Sequence, residues 1–214
     1  LGGAALTRAA STPPMQSLDL LTSIALGVGL AAAVGLRVFL PLLVLAIAGY
    51  TGTVPLSESF QWLATLPAVA MLAVAAVVEV AAYYVPGVDN LLDTIATPTA
   101  LVAGTIAAAA VMTDLPPIVK WTTAVIAGGG AAGLTQGVTS LLRLKSTATT
   151  GGVGNPVVAT GELGGAATLS LLAIFAPIVA LVLVVPIAPC IAKFLRDDLE
   201  NAINPERAQL HRHP

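Results

Sequence analysis

Charged residues and cysteine are scarce in this sequence. Only 9% of its 214 residues are Asp, Glu, Lys or Arg, whereas soluble domains average about 25%. The net charge is −2 and no basic cluster occurs, so nothing indicates a nucleic-acid partner. The single cysteine, Cys190, excludes disulfides within the chain and metal or redox sites built on cysteine pairs. We therefore expect no cofactor.

Enzyme signatures are also missing. Both histidines, His211 and His213, lie in the polar C-terminal tail, and no zinc-protease, serine-hydrolase or phosphate-loop motif occurs. The apolar stretches offer no buried Ser with His and no aspartate pair of the kind that intramembrane proteolysis requires. We therefore expect that the protein is not an enzyme.

Apolar residues are what the sequence does contain. They make up 57% of the chain and occur in runs of about 20 residues, the length of a transmembrane helix. A membrane β-barrel would instead show a period of two. The composition predicts an all-α fold, a polytopic transmembrane helical bundle that lies in the lipid bilayer.

The chain divides into three parts by composition. We predict an extension or disordered N-terminus over residues 1–14, a transmembrane domain over 15–196 and a polar C-terminal tail over 197–214. The apolar runs predict about five spans, near residues 18–35, 62–84, 96–112, 121–142 and 168–190.

Two segments of the transmembrane domain are predicted to be broken or re-entrant. The run from Leu18 to Tyr50 would measure about 50 Å as one helix, too long for a hydrocarbon core of about 30 Å. Arg37 and Pro41 interrupt it, so we predict a broken segment over residues 37–49. The second segment, residues 143–165, is rich in Gly, Thr and Ser. It predicts a surface loop or, alternatively, a stretch that enters the membrane where protein or water satisfies its backbone.

The two halves of the chain resemble each other weakly. A shift of 106 residues places Arg37 on Arg143 and suggests repeats over residues 18–84 and 124–190. The third span lies between them, so the second repeat would be inverted, as in transporters whose binding sites form where the halves meet. Chance matches are common in a chain so rich in Ala and Gly.

Four polar residues are candidates for a substrate-binding or pore-lining site: Arg37, Glu79, Asn155 and Glu162. A charge flanked by apolar sequence costs roughly 2.5–3.5 kcal/mol on insertion scales. Arg37 therefore either reaches an interface with its long side chain or faces a polar cavity, binding an anion or pairing with Glu79 or Glu162.

The other candidates also leave alternatives open. Glu79 either reaches the lipid headgroups or serves in ion coordination or proton relay. Asn155, followed by Pro156, either forms an ordinary turn or presents its amide and neighbouring carbonyls to a solute. Glu162 is expected near the constriction of a solute path, together with Arg37 and Asn155.

Three glycines predict close helix packing. Gly129, Gly133 and Gly137 recur at every fourth position, so they lie on one face of a helix and let another backbone approach closely.

Three segments carry a resemblance to a known family. The stretch GLRVFLPLL from Gly35, the PGVD turn from Pro86 and GGVGNPVVATGE from Gly151, in this order and spacing, resemble a bacterial membrane-protein family known as domain of unknown function 4126. The likeness covers about residues 18–195. It implies a compact membrane domain in the bacterial cytoplasmic (inner) membrane, and it implies no catalytic residues.

Two functions are compatible with these features. The first is a small channel or transporter for an ion or small polar solute, because polar and Gly-rich sequence interrupts both apolar halves. The second is a structural or accessory subunit, packed as a homo-oligomer or in a larger membrane complex through its Gly and Ala faces.

Overall fold

The computed structural model describes residues 13–85 and 88–186, together with Pro189, Lys193 and Arg196. Residues 1–12 of the predicted N-terminal extension, residues 86 and 87, Cys190 and the whole predicted tail over 197–214 lie outside the described residues. Within the described part the chain is helical and contains no strand. The helices are α1 (Pro13–Leu36), α2 (Phe39–Tyr50), α3 (Leu66–Ala82), α4 (Val88–Val111), α5 (Pro117–Thr123), α6 (Gly130–Thr150), α7 (Asn155–Phe175) and α8 (Pro177–Val184).

Two further helical segments complete this list. A 3-10 helix, Glu58–Ala64, precedes α3, and a π-helical segment, Ala124–Gly129, joins α5 to α6. Because the π segment keeps the helix continuous, the fourth predicted span becomes one helical stretch from Pro117 to Thr150. At 34 residues this stretch is about 50 Å long and exceeds the bilayer core.

Four helical stretches are long and apolar enough to cross a membrane: Asp19–Leu36, Thr94–Val111, Pro117–Thr150 and Asn155–Phe175. A fifth span exists if the 3-10 helix and α3, which meet at an angle of 69°, are counted together. The predicted polytopic helical bundle is therefore confirmed, and the chain is an integral membrane protein.

Helix α1 lies at the centre of the bundle. It packs against α4, α6, α7 and α8, while α3 packs on α2 and the 3-10 helix. The contact surfaces are made of small side chains, among them the fully buried Ala31, Ala32 and Ala33 of α1 and Ala108 of α4. Small residues allow helix axes to approach closely, which gives van der Waals contact where lipid removes the hydrophobic driving force between helices.

Glycines make the closest of these contacts. A Cβ on Gly104 of α4 would meet the Cβ of Ala132, and one on Gly128 would lie 2.5 Å from the Cβ of Ala108. Gly129 and Gly133 face Thr105 and Leu101 of α4 in the same way. Their predicted packing role fits this geometry.

Gly137, the third member of the predicted glycine face, does not take part. A Cβ at this position would have no atom within 4 Å, so its role in packing was predicted wrongly. The contact with α4 reaches Gly133 but does not extend to the turn at Gly137. Gly104, Gly128 and Gly35 form contacts that the four-residue spacing did not identify.

The first predicted break is present. Helix α1 ends at Leu36 and α2 begins at Phe39, leaving Arg37 and Val38 between them. Pro41 explains the position, because in a continuous helix it would have no N–H for the Arg37 carbonyl. Helix α2 has 12 residues, about 18 Å, which is too short to cross the bilayer alone.

The surface loop predicted for residues 143–165 is wrong. Helix α6 continues to Thr150 and α7 begins at Asn155, so only residues 151–154 form a turn. The polar residues are compatible with a helix because their hydroxyls bond carbonyls of the preceding turn, as Thr150 does with Ser146. Gly151 and Gly152 end α6 with φ values of 63° and 89°, which glycine adopts without strain.

Other boundaries differ from the prediction. The predicted second span began at Trp62, which lies in the 3-10 helix, and the third helix begins at Val88, before the predicted residue 96. The predicted fifth span is interrupted at Ala176, because Pro177 starts α8. The inverted repeat stays a prediction.

We predict that Gly104→Ala destabilises the bundle, because the new Cβ would collide with Ala132 and separate α4 from α6. Overpacking of this kind costs about 1–3 kcal/mol. Thermal unfolding in detergent micelles measures the effect. Gly137→Ala is the matched control, since open space surrounds its Cβ. Equal unfolding temperatures for the two variants would contradict the packing described.

Candidate functional site

Arg37 is buried at the break between α1 and α2. Its side chain is 1% exposed. Nη2 donates a hydrogen bond of 3.0 Å to the carbonyl oxygen of Ala159 in α7 and lies 3.3 Å from Oε2 of Glu162. The side chain therefore points into the protein rather than to a membrane surface, and the expected pairing with Glu162 is present.

Glu162 also binds a second arginine. Arg143 of α6 donates from Nε to Oε1 of Glu162 at 3.0 Å and from Nη2 to Oε2. This two-bond geometry is the strongest form of an arginine–carboxylate pair. Arg37, Arg143 and Glu162, all buried, are named here the arginine–glutamate cluster.

Arg143 is a functional candidate that sequence reasoning missed. It was placed in the predicted surface loop, where a charge needs no partner. A usable signal was present, because the shift of 106 residues aligned Arg143 with Arg37. The two arginines converge on one carboxylate, although they lie far apart in the sequence.

Tyr83 packs against both arginines. Its ring centroid lies 3.8 Å from Cζ of Arg37 and 4.2 Å from Cζ of Arg143. A guanidinium at this distance is attracted by the negative face of the ring. Tyr83 lies at the end of the predicted second span, is 8% exposed and belongs to the site.

Glu79 binds the start of α2, and its predicted part in ion coordination or proton relay stays a prediction. It is buried, and its two carboxylate oxygens accept hydrogen bonds from the backbone N–H groups of Val38 at 2.8 Å and Phe39 at 3.0 Å. These N–H groups lie at the start of α2, where no preceding helical turn supplies an acceptor. The carboxylate therefore holds α3 against the N-terminus of α2, next to Arg37, and does not reach the headgroups.

Asn155 lies on the same face of α7 as Glu162 of the cluster. Asn155, Ala159 and Glu162 are all buried, and their spacing of four and three residues stacks them on one face. The Asn155 amide donates to Oγ1 of Thr147 at 3.2 Å and so ties the start of α7 to α6. The prediction that Asn155 contacts a solute remains a prediction.

A buried polar stripe continues from the cluster along α6. Thr135, Gln136 and Thr139 are each about 5% exposed or less. At four and seven residues from Arg143, Thr139 and Gln136 occupy the same helix face over about 10 Å. Gly35 of α1 lies directly against Thr135. The stripe, named here the α6 polar face, is therefore enclosed by protein rather than by lipid.

The cluster contains more donors than acceptors. Nε and Nη1 of Arg37 are buried and have no hydrogen-bond partner among the described residues. A buried donor without a partner costs about 1–3 kcal/mol, so these two nitrogens lower the stability of the folded state. The Glu79 carboxylate also lies close enough to interact electrostatically with Arg37.

An apolar groove is also lined by Tyr83. It has a volume of about 870 Å³ and lies between α2, α3 and α4, with Met71, Val74 and Ile95 in its walls. Glu79 and Tyr83 line it too, so Tyr83 contacts both the groove and the two arginines. We name this cavity the α3–α4 groove.

The described residues contain no group of three His, Cys, Asp or Glu side chains that could hold a metal ion. The side chains described at the site offer hydrogen bonds and charge. Two guanidiniums, one carboxylate and a row of hydroxyl and amide groups can bind a polar or charged solute.

Comparison with known proteins identifies one family. The family model described as domain of unknown function (DUF4126) matches residues 24–196, a range that contains the cluster, the α6 polar face and Glu79. No curated protein matches the chain, and no solved structure matches it.

We predict that Glu79→Gln lowers stability by about 1–3 kcal/mol, because an amide offers one acceptor oxygen and leaves a buried N–H of α2 unpaired. Thermal or denaturant-induced unfolding in detergent measures the loss of stability. Glu58→Gln is the control, since Glu58 is exposed. The capping role would be refuted if the two substitutions had the same small effect.

Proposed function

The chain belongs to the DUF4126 family, and because the description of that family assigns no activity, we propose a function from the site: a small membrane transporter or channel for an ion or small polar solute. In this proposal the solute moves along the α6 polar face. The arginine–glutamate cluster is the gate that closes the path. The membrane concerned is the bacterial cytoplasmic membrane.

The single observation that carries the proposal is the convergence of Arg37, Arg143 and Glu162 inside the bundle. Ionisable residues within transmembrane segments are expensive, face the protein interior and usually belong to a transport path or proton relay. These three come from the α1–α2 break, α6 and α7, so no local structure requires them to meet.

The broken helix supports the same function. Transporters bind solutes where a helix is interrupted, because backbone groups freed at the break can be satisfied by protein or solute. Here the break at Arg37 adjoins the cluster, and Glu79 satisfies the freed N–H groups of α2. The proposed inverted repeats, residues 18–84 and 124–190, would supply one arginine each.

The gate works by competition. Glu162 holds both arginines in the structure, so a solute that takes the place of this carboxylate on a guanidinium displaces one of these contacts. Ion pairs that form and break in this way can separate two states of a protein. Loss of the Arg37–Glu162 contact would free the start of α2 to move relative to α7.

We predict that Arg37→Lys and Gln136→Leu each reduce flux by about tenfold or more in proteoliposomes, the first by altering the gate and the second by removing a polar group from the path. Flux is measured with chloride, nitrate, potassium and urea as probes. Thr149→Val is the control, because Thr149 is exposed at the end of α6. Monodispersity on size exclusion verifies folding.

Transport would be refuted in either of two ways. The first is that none of the probes crosses faster than through protein-free liposomes. The second is that both variants retain the wild-type flux.

A second function, an accessory subunit of a membrane complex, is favoured by the α3–α4 groove. Helix α3 packs mainly on α2 and the 3-10 helix, and Met71, Val74 and Val78 are exposed on it. A transmembrane helix of a partner subunit would fill the groove by van der Waals contact. Gly129 and Gly133 are already used against α4, so the groove is the better candidate surface.

For the accessory function we predict that Val74→Trp abolishes co-purification with a larger complex from native membranes in mild detergent, because the indole would occupy the groove. Val125→Trp is the control, since Val125 is exposed outside the groove. A wild-type protein that migrates as a monomer under these conditions would argue against the accessory function.

A further inference from the structure

We propose that the α3–α4 groove is a binding site for one acyl chain of a membrane phospholipid. The chain enters from the surrounding lipid and takes the place of direct packing between α3 and α4. This inference goes beyond the two functions proposed above and does not depend on transport.

The first argument is a gap between two consecutive helices. Helices α3 and α4 follow each other in the sequence. Among the described residues, however, α4 packs chiefly on α1, α6 and the π-helical segment, while α3 packs chiefly on α2. The groove of about 870 Å³ occupies the space between them. An unfilled gap loses van der Waals contact along both of its walls, so the folded protein gains from an occupant.

The second argument is the chemistry of the walls. Most of the lining is apolar and includes Met71 and Val74. Glu79 and Thr99, which also line the groove, already have hydrogen-bond partners. Both oxygens of Glu79 accept N–H groups of α2, and the hydroxyl of Thr99 donates to the carbonyl oxygen of Ile95. A hydrocarbon chain therefore fits these walls better than water or a polar solute does.

The third argument is access from the bilayer. Met71, Val74, Val78 and Ile95 line the groove, and their side chains are exposed. On a membrane-spanning bundle such exposed apolar side chains face lipid. The groove is therefore continuous with the lipid-facing surface of the protein, and a lipid chain reaches it without any opening of the bundle.

The fourth argument is the shape of the groove. On α3 it extends from Ala70 to Tyr83, about 20 Å, compared with about 15 Å for one leaflet of the hydrocarbon core. Its mean cross-section is then about 45 Å², whereas a helix about 10–12 Å across needs about 80–110 Å². A helix can lie over this groove with side chains inside it, but a slender chain enters it along its whole length.

The position of the groove orients the lipid. Helix α3 ends at Ala82 and α4 begins at Val88, so the Tyr83 end of the groove lies where the chain turns back. Tyr84, the next residue, is exposed, as is typical of aromatic residues at the lipid interface. The bound phospholipid therefore has its headgroup beside this turn, and its chain contacts Tyr83 and Glu79 on the way to the bilayer interior.

The experiment measures saturable occupation of the groove. Phosphatidylglycerol with a diazirine in one acyl chain is added at rising mole fraction to the purified full chain in detergent micelles. Illumination then crosslinks it, and peptide mass spectrometry identifies the labelled residues. We expect labelling of α3 and α4 in the groove to saturate at low mole fraction. Labelling near the lipid-facing Val125 and Ile126 should rise in proportion to the mole fraction.

Groove-filling variants assign the saturable labelling to the groove. Val74→Trp and Ile95→Trp should each reduce it by about tenfold or more, since a close-packed site has no room for both an indole and a chain. Each should also remove the saturable rise in unfolding temperature that phosphatidylglycerol gives the wild type. Val125→Trp is the matched control, because Val125 is exposed outside the groove.

Three results would overturn the site. The first is labelling of the wild-type groove that rises in proportion to the mole fraction, as it does near Val125. The second is saturable labelling that persists unchanged in a folded groove variant. The third is labelling in native membranes that reaches Val125 but not the groove, because a partner helix or another part of the chain then occupies it. The wild-type saturation curve needs no variant, so the test holds even if both tryptophan variants fail to fold.

Discussion

One carboxylate holds two buried guanidiniums in this protein, and the arrangement of the surrounding helices depends on that contact. Glu162 brings the end of α1, the last turns of α6 and the first turns of α7 to one place. In an environment poor in water each partner would be strongly destabilising without the others. The break after α1 is therefore constrained twice, by Arg37 on one side and by Glu79, which caps α2, on the other.

Small side chains provide the second constraint. Transmembrane helices gain little from burying apolar surface against each other, since lipid is equally apolar, so they gain from close contact. Alanines of α1 and α4 and the glycines at positions 104 and 128 supply it. The resulting proximity of α1, α4 and α6 encloses the α6 polar face and keeps lipid from the cluster.

Tyr83 contacts both the arginine–glutamate cluster and the α3–α4 groove. Its ring contacts both arginines and also lines the α3–α4 groove. A helix or a lipid that enters the groove would press on the residue that covers the guanidiniums. The proposed transport site and the proposed partner surface are thus adjacent, because Tyr83 contacts both.

The sequence by itself determined the membrane environment, the fold class and the break at Arg37. Apolar runs of bilayer length indicate transmembrane helices, and Pro41 interrupts a helix whatever packs against it. It also identified Arg37 and Glu162 as unusual, since charge in an apolar run has few explanations. The helical state of most of residues 143–165 was missed, because hydroxyl groups that bond to their own helix make a composition rich in Thr and Ser compatible with it. Only the tertiary structure brought Arg143 and Tyr83 into the site, gave Glu79 its role at α2 and left Gly137 without a neighbour. Each of these depends on which helix lies opposite, and helix packing is determined by shape complementarity across the bundle rather than by spacing along one helix.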